Sequence, residues 1–227
     1  MKKTSTKEYI SALKEIFVAN ADKTIAAGQK AYMKNNFEFF GIKTPVRRLL
    51  VKPFLEKAYL PAKSDMKKTV PELWVLPQRE FHYFGQELAA KFKKQADEKD
   101  IELFEMMVLN NSWWDTVDFI AVHLMGNYFK QHPQKIESYV NKWLAGDNMW
   151  LQRCALLFQL KYKHATDTVL LASVIKKLSG SKEFFIKKAI GWVLREYSRT
   201  NPEWVKKFVH NNTISNLSKK EALRLMV

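Results

Sequence analysis

Apolar residues recur three to four apart along almost the whole chain. Within 80–92 they fall at Phe81, Phe84, Leu88 and Phe92, a spacing that predicts one apolar face on a helix. The same period predicts helices over 8–19, 23–34, 46–58, 100–109, 115–130, 135–145, 150–162, 168–178, 183–197, 203–210 and 218–226. Pro45, Pro71, Pro77, Pro133 and Pro202 each sit where a first helical turn would begin, and Thr44 and Asn201 are candidate N-caps. No long β-branched alternation bounded by turn dipeptides is present, so no sheet is expected.

The helical segments also repeat. A slide of 35 residues lays Leu151 on Ile186, Arg153 on Lys188, Cys154 on Ala189, Phe158 on Val193 and Tyr162 on Tyr197. A slide of 37 lays Trp113 on Trp150, Val117 on Cys154 and Phe119 on Leu156. A period of about 33–40 residues holding two helices is the signature of HEAT and armadillo arrays. The alternative is an irregular bundle with coincidental spacing. The expected fold is therefore all-α: an α-solenoid of HEAT- or armadillo-like antiparallel helix pairs, one domain over 1–227, with a basic concave groove.

Charge changes the picture from fold to partner. The 227 residues carry 38 Lys and Arg against 23 Asp and Glu, a net +15. Residues 1–96 hold 19 basic and 9 acidic side chains, 97–175 hold 7 and 10, and 176–227 hold 12 and 4. Two basic flanks thus bracket a slightly acidic middle. Solubility alone needs a net charge of only about 2–8 in a small domain. The excess favours a polyanion, above all a nucleic-acid backbone, over a membrane surface.

Several chemistries are excluded. The single cysteine, Cys154, cannot form an intrachain disulfide framework or a CxxC zinc site, and it sits in an apolar stretch that reads as core. No HExxH, GxGxxG, P-loop or GxSxG pattern occurs, and nothing suggests a metal or organic cofactor. No apolar run approaches the length of a membrane span. Met1-Lys2-Lys3 begins like a signal peptide, but Glu8, Lys14 and Glu15 interrupt its apolar core. A soluble monomer in a reducing cytoplasm is expected.

The densest unusual segment is Asn110-Asn111-Ser112-Trp113-Trp114-Asp115-Thr116-Val117-Asp118. With Ser112 as N-cap, Trp114 and Asp118 stand at i and i+4 on one helical face. Most tryptophans are core and most carboxylates are solvated or paired. A carboxylate beside an indole is also a cation-stabilising site. A second cluster places Trp192 and Arg195 at i and i+3, and Arg153 lies one repeat earlier. Each arginine is either a phosphate ligand or an inter-repeat salt bridge.

These segments resemble the AlkD family of bacterial DNA alkylation repair glycosylases. The resemblance is carried by Ser112 to Asp118, Trp150-Leu151-Gln152-Arg153, Phe158 to Lys163 and Ser181 to Tyr197. It extends to Tyr32-Met33-Lys34-Asn35, Gly41-Ile42-Lys43-Thr44-Pro45, Glu72-Leu73-Trp74 and Leu76-Pro77, so it covers nearly the whole chain. It implies a HEAT-like solenoid that cradles double-stranded DNA and excises cationic alkylated purines, chiefly 3-methyladenine and 7-methylguanine, leaving an abasic site. It implies Asp118 as the catalytic carboxylate between the indoles of Trp114 and Trp192. It assigns DNA contacts to Tyr32, Arg153 and Arg195. Lys43 stands where family members can carry glutamine, so a point charge replaces an amide on the face toward the opposite strand. A non-catalytic solenoid that binds damaged or structured nucleic acid is the alternative.

Overall fold

A computed structural model of the chain describes residues 5–226. Among these residues the structure is all-helical apart from one isolated bridge between Glu38 and Gln78. It divides into two compact units, Met1–Gln95 and Ala96–Val227. Among the described residues, no helix is long and apolar enough to cross a membrane. Met1-Lys2-Lys3 lies outside the described residues.

The first unit contains α1 (Thr6–Ala19), α2 (Lys23–Tyr32), α3 (Thr44–Val51), α4 (Lys63–Trp74) and α5 (Arg79–Lys91). A Ser5–Glu8 capping box starts α1, and Tyr9, Leu13 and Phe17 form its buried face at i, i+4 and i+8. That face meets aromatic rings from other elements: Phe54 and Phe84 pack on Tyr9, and Phe40 and Phe81 on Phe17. Glu80, at the start of α5 and only 1% exposed, ties the 37–43 loop to this core. Its carboxylate accepts N–H bonds from Phe40 (3.1 Å), Gly41 (3.0 Å) and Ile42 (3.2 Å). Three donors on one buried carboxylate replace the water that the charge has lost.

The second unit contains α6 (Asp100–Leu109), α7 (Trp114–Phe119), α8 (Gly126–Gln131), α9 (Ile136–Ala145), α10 (Met149–Leu157), α11 (Thr168–Leu178), α12 (Phe184–Ser198), α13 (Pro202–Asn211) and α14 (Asn216–Leu223). Helices α7, α10, α12 and α14 start at 114, 149, 184 and 216, so the steps are 35, 35 and 32 residues. They pack in that order, α7 on α10, α10 on α12 and α12 on α14, while α9 packs on α11 behind them. This is the two-layer arrangement of an α-solenoid. Side chains stitch each repeat to the next at offsets of 35 to 38 residues. Tyr162 Oη donates to Gly126 O (2.6 Å), Lys161 pairs with Glu196 (2.7 Å) and Trp143 Nε1 donates to Glu105 (2.6 Å). Gly126 lets the backbone at Phe158 come close, because a Cβ there would lie 2.5 Å from Phe158 O.

Several helix limits differ from the periodicity. The expected helix over 46–58 stops at Val51, since Pro53 has no N–H to continue the ladder and opens a 3-10 turn, Pro53–Leu55. The expected helix over 150–162 stops at Leu157, and the Gln159 side chain then accepts from Asp167 N (2.8 Å) to close the loop into α11. Helix α4 was not expected at all. Its buried stripe of Met66, Val70, Leu73 and Trp74 has helical spacing, but Pro71, read as a start, lies inside it. The 115–130 segment is one continuous helix over 114–131 that widens to π geometry at Ile120–Met125. Asn201 caps α13 as expected, with its side chain accepting from Trp204 N (3.0 Å). Thr44 is instead the first residue of α3, and Lys43 occupies the cap position.

Candidate active site

The turn from α6 into α7 sets the site. Asn111 adopts a left-handed backbone (φ 53°), tolerated by asparagine, and Trp113 is extended before the helix begins. Trp113, not Ser112, occupies the N-cap. The Ser112 hydroxyl is directed back to Val108 O, so it closes α6 rather than opening α7. Trp114 therefore stands at the first helical position, one turn before Asp118 on the same face.

Asp118 and Arg153 form a two-pronged ion pair. Arg153 Nε donates to Asp118 Oδ1 (2.7 Å) and Nη2 to Oδ2 (2.8 Å), while Nη1 donates to the Phe185 carbonyl. Arg153 is 4% exposed and the Asp118 side chain 17%. One guanidinium thus links three successive inner helices: α7 through Asp118, α10 through itself and α12 through Phe185. The Phe185 ring packs edge-on to Trp113 (5.3 Å between centroids) and against Trp150 (5.1 Å). Burial raises the Asp118 carboxyl above its ordinary value; the Arg153 guanidinium opposes this, and the nearby charge of Asp115 adds to it.

Trp192 is half-buried on α12, seven residues after Phe185 and so two turns along the same face. Arg195 pairs with Glu221 of α14, which also holds Lys188 (3.0 Å). Of the two roles left open for the arginines, the inter-repeat ion pair is present in the structure for both. Arg153 has all three guanidinium nitrogens engaged by protein acceptors. Cys154, adjacent to Arg153 on α10, is buried, and burial pushes its thiol far up, so it carries no nucleophile. Among the described residues, no three His, Cys, Asp or Glu side chains cluster as metal ligands. Tyr32 and Lys43 are both exposed and line a separate cavity in the first unit.

Sequence reasoning did not place Asp118 on Arg153, or Arg195 on Glu221. The signal for the first was present: 118 and 153 differ by 35, the repeat step itself. The role of Phe185 as a carbonyl acceptor has no sequence signal, since any residue supplies that group.

A two-layer helical repeat protein with a carboxylate–guanidinium pair among indole-bearing helices is the class that fold and site define. The model of the DNA alkylation repair enzyme family matches residues 13–226, and the chain belongs to that family. The solved structure of a predicted DNA alkylation repair enzyme from Enterococcus faecalis superposes with a TM-score of 0.85 at 30% identity, covering 91% of this chain and 97% of that one. No curated protein sequence matches. Membership of the family assigns the chain a role in DNA alkylation repair.

Proposed function

We propose that this protein hydrolyses the N-glycosidic bond of cationic alkylated purines, 3-methyladenine and 7-methylguanine, in duplex DNA. The observation that carries the reading is Asp118: a carboxylate withdrawn from bulk water, oriented at both oxygens by Arg153, with Trp114 one turn away on its own helix. A purine alkylated at N3 or N7 already bears a positive charge. The bonding pair of the C1′–N bond neutralises it on departure, so no general acid is required. Positive charge then develops on the deoxyribose, as in other glycosidic cleavages. A fixed carboxylate in low dielectric stabilises that charge, and indole faces favour the same cation. Water adds to C1′ and its proton passes to solvent or to Asp118, leaving an abasic site.

In this reading Asp118, Trp114 and Trp192 face the reacting sugar, and Arg153 fixes the carboxylate. Tyr32 and Lys43 contact DNA, and the basic flanks attract its backbone; the DNA contacts expected of Arg153 and Arg195 give way to their ion pairs with Asp118 and Glu221. The protein works as a monomer in the cytoplasm, without a cofactor. The test is release of free 7-methylguanine from a methylated duplex by wild type beside Asp118→Asn. Release by wild type alone supports the proposal; equal release by both variants removes Asp118 from the chemistry. The saturation of Asp118 by Arg153 also suits a purely structural pair. Salt-sensitive DNA binding with no base release by either protein would establish that second reading, a non-catalytic solenoid.

A further inference from the structure

The cavity in the first unit has a chemistry of its own. It encloses about 450 Å³ between α2, the 37–43 loop and the start of α3, within the range of small-molecule sites. Three aromatic side chains, Tyr32, Phe39 and Tyr83, line it together with Ile25, Met33 and Ile42. Its polar lining is Gln29, Thr44, Lys43 and Arg47, and none of the described lining residues is acidic. Tyr32 is 69% exposed although its ring lines this cavity.

Its walls are built rather than incidental. The buried Glu80 carboxylate clamps the backbone of Phe40, Gly41 and Ile42, and Gln29 Nε2 donates to Ile42 O (3.2 Å). Arg47 is 3% exposed, held at both terminal nitrogens by Glu87 (2.9 and 2.7 Å), and its guanidinium lies 5.4 Å from the Tyr83 ring centre. Two buried atoms on these wall residues, Gln29 Oε1 and Arg47 Nε, have no hydrogen-bond partner. Buried polar groups are destabilising when left unpaired. Helix α3 begins at Thr44 with no side chain capping its first turn. Lys43, exposed, stands at that same end.

We propose that this cavity binds a nucleotide: an aromatic base against the tyrosine-lined wall, with its phosphate at Lys43 and the uncapped start of α3. Base–aromatic contact tolerates any base, because each has a π face. Helix N-termini and lysine favour the phosphate. The nucleotide comes either free from solution or as an unstacked unit of a DNA strand. The DNA source rests on the contacts proposed above for Tyr32 and Lys43, whereas binding of a free nucleotide does not depend on excision at Asp118.

Gly28 supplies a clean test. It lines the cavity on α2, and a Cβ built there meets nothing within 4 Å. Gly28→Met therefore adds a long apolar side chain to the cavity's lining without a clash while favouring the helix, and Gly28→Ala favours the helix while changing the lining least. Two ligands are titrated into wild type and both variants: free dAMP, and a duplex bearing one unpaired 2-aminopurine. Gly28→Met should weaken binding about tenfold or more, the size of one lost base–aromatic contact, and Gly28→Ala should match wild type. Weakening confined to dAMP identifies a free nucleotide as the occupant; weakening of the duplex arm identifies a unit of DNA. If Gly28→Met binds both ligands as wild type does, or wild type binds neither, the proposal is overturned. Neither arm reads base release, so failure here and failure of the glycosylase reading are separate results.

Discussion

Removing the Arg153 charge is the sharpest perturbation of this structure. Arg153→Met retains a buried aliphatic stem but strips Asp118 of donors at 2.7 and 2.8 Å and Phe185 O of a third. At 17% exposure the Asp118 side chain cannot recover full hydration. Breaking a buried pair from one side costs about 3–5 kcal/mol, because the surviving charge is uncompensated. Asp118→Leu should cost a similar amount by stranding Arg153. The double variant Asp118→Leu/Arg153→Met removes both charges and should be far less unstable than the two singles summed, with a coupling of about 3 kcal/mol or more. Urea unfolding followed by circular dichroism, with an unchanged m-value, measures all three. Singles that add to the double within about 0.5 kcal/mol would refute the claim that the pair is a desolvated unit. The same variant has a pH signature. Burial raises the Asp118 carboxyl above its ordinary 3.8, and the guanidinium opposes that rise. Excision that needs the carboxylate should fall as pH drops through the raised value and be level above it. Arg153→Met removes the opposing charge, so its acidic limb should move to still higher pH. A limb that stays in place would detach Asp118 from the rate.

Three further outcomes follow from the packing. Gly126→Ala drives a Cβ to 2.5 Å from Phe158 O and should destabilise the second unit by about 1–3 kcal/mol, whereas Gly180→Ala, with nothing within 4 Å of its Cβ, should not; urea melts compare them. Glu80→Gln loses one of the two acceptor oxygens that bind the Phe40, Gly41 and Ile42 N–H groups, costing about 1–3 kcal/mol, and hydrogen exchange at those three amides should accelerate first. Cys154, buried with its thiol pushed up, should resist iodoacetamide in the native protein and react only once urea unfolds the chain; modification of the native state would contradict its burial.

The local physics of the chain was readable wherever periodicity ran uninterrupted. The apolar faces of α6, α11 and α12 appear at helical spacing, and the 35-residue slide anticipates the step from α10 to α12; the step from α7 to α10, expected at 37, is also 35. Prolines misled where one residue type serves two positions. Pro53 ended α3 early, while Pro71 was absorbed within α4, where Met66, Val70, Leu73 and Trp74 bury enough surface to hold the helix despite a missing N–H. Ser112 looked like a cap because the chemistry of a hydroxyl before a helix is the same whichever helix it serves. Only the backbone direction sends it to Val108 O.

By itself, then, the sequence determined the fold class, the repeat step and the residues from which a site could be assembled, since these depend on hydrophobic spacing and side-chain chemistry. Which of those residues meet was decided by the tertiary structure alone. Asp118, Arg153 and the Phe185 carbonyl converge because three inner helices pack side by side. Arg195 turns to Glu221 because α14 lies against α12. A buried guanidinium takes whichever acceptors the packing presents, and that choice is a property of distances between helices, which no single segment encodes.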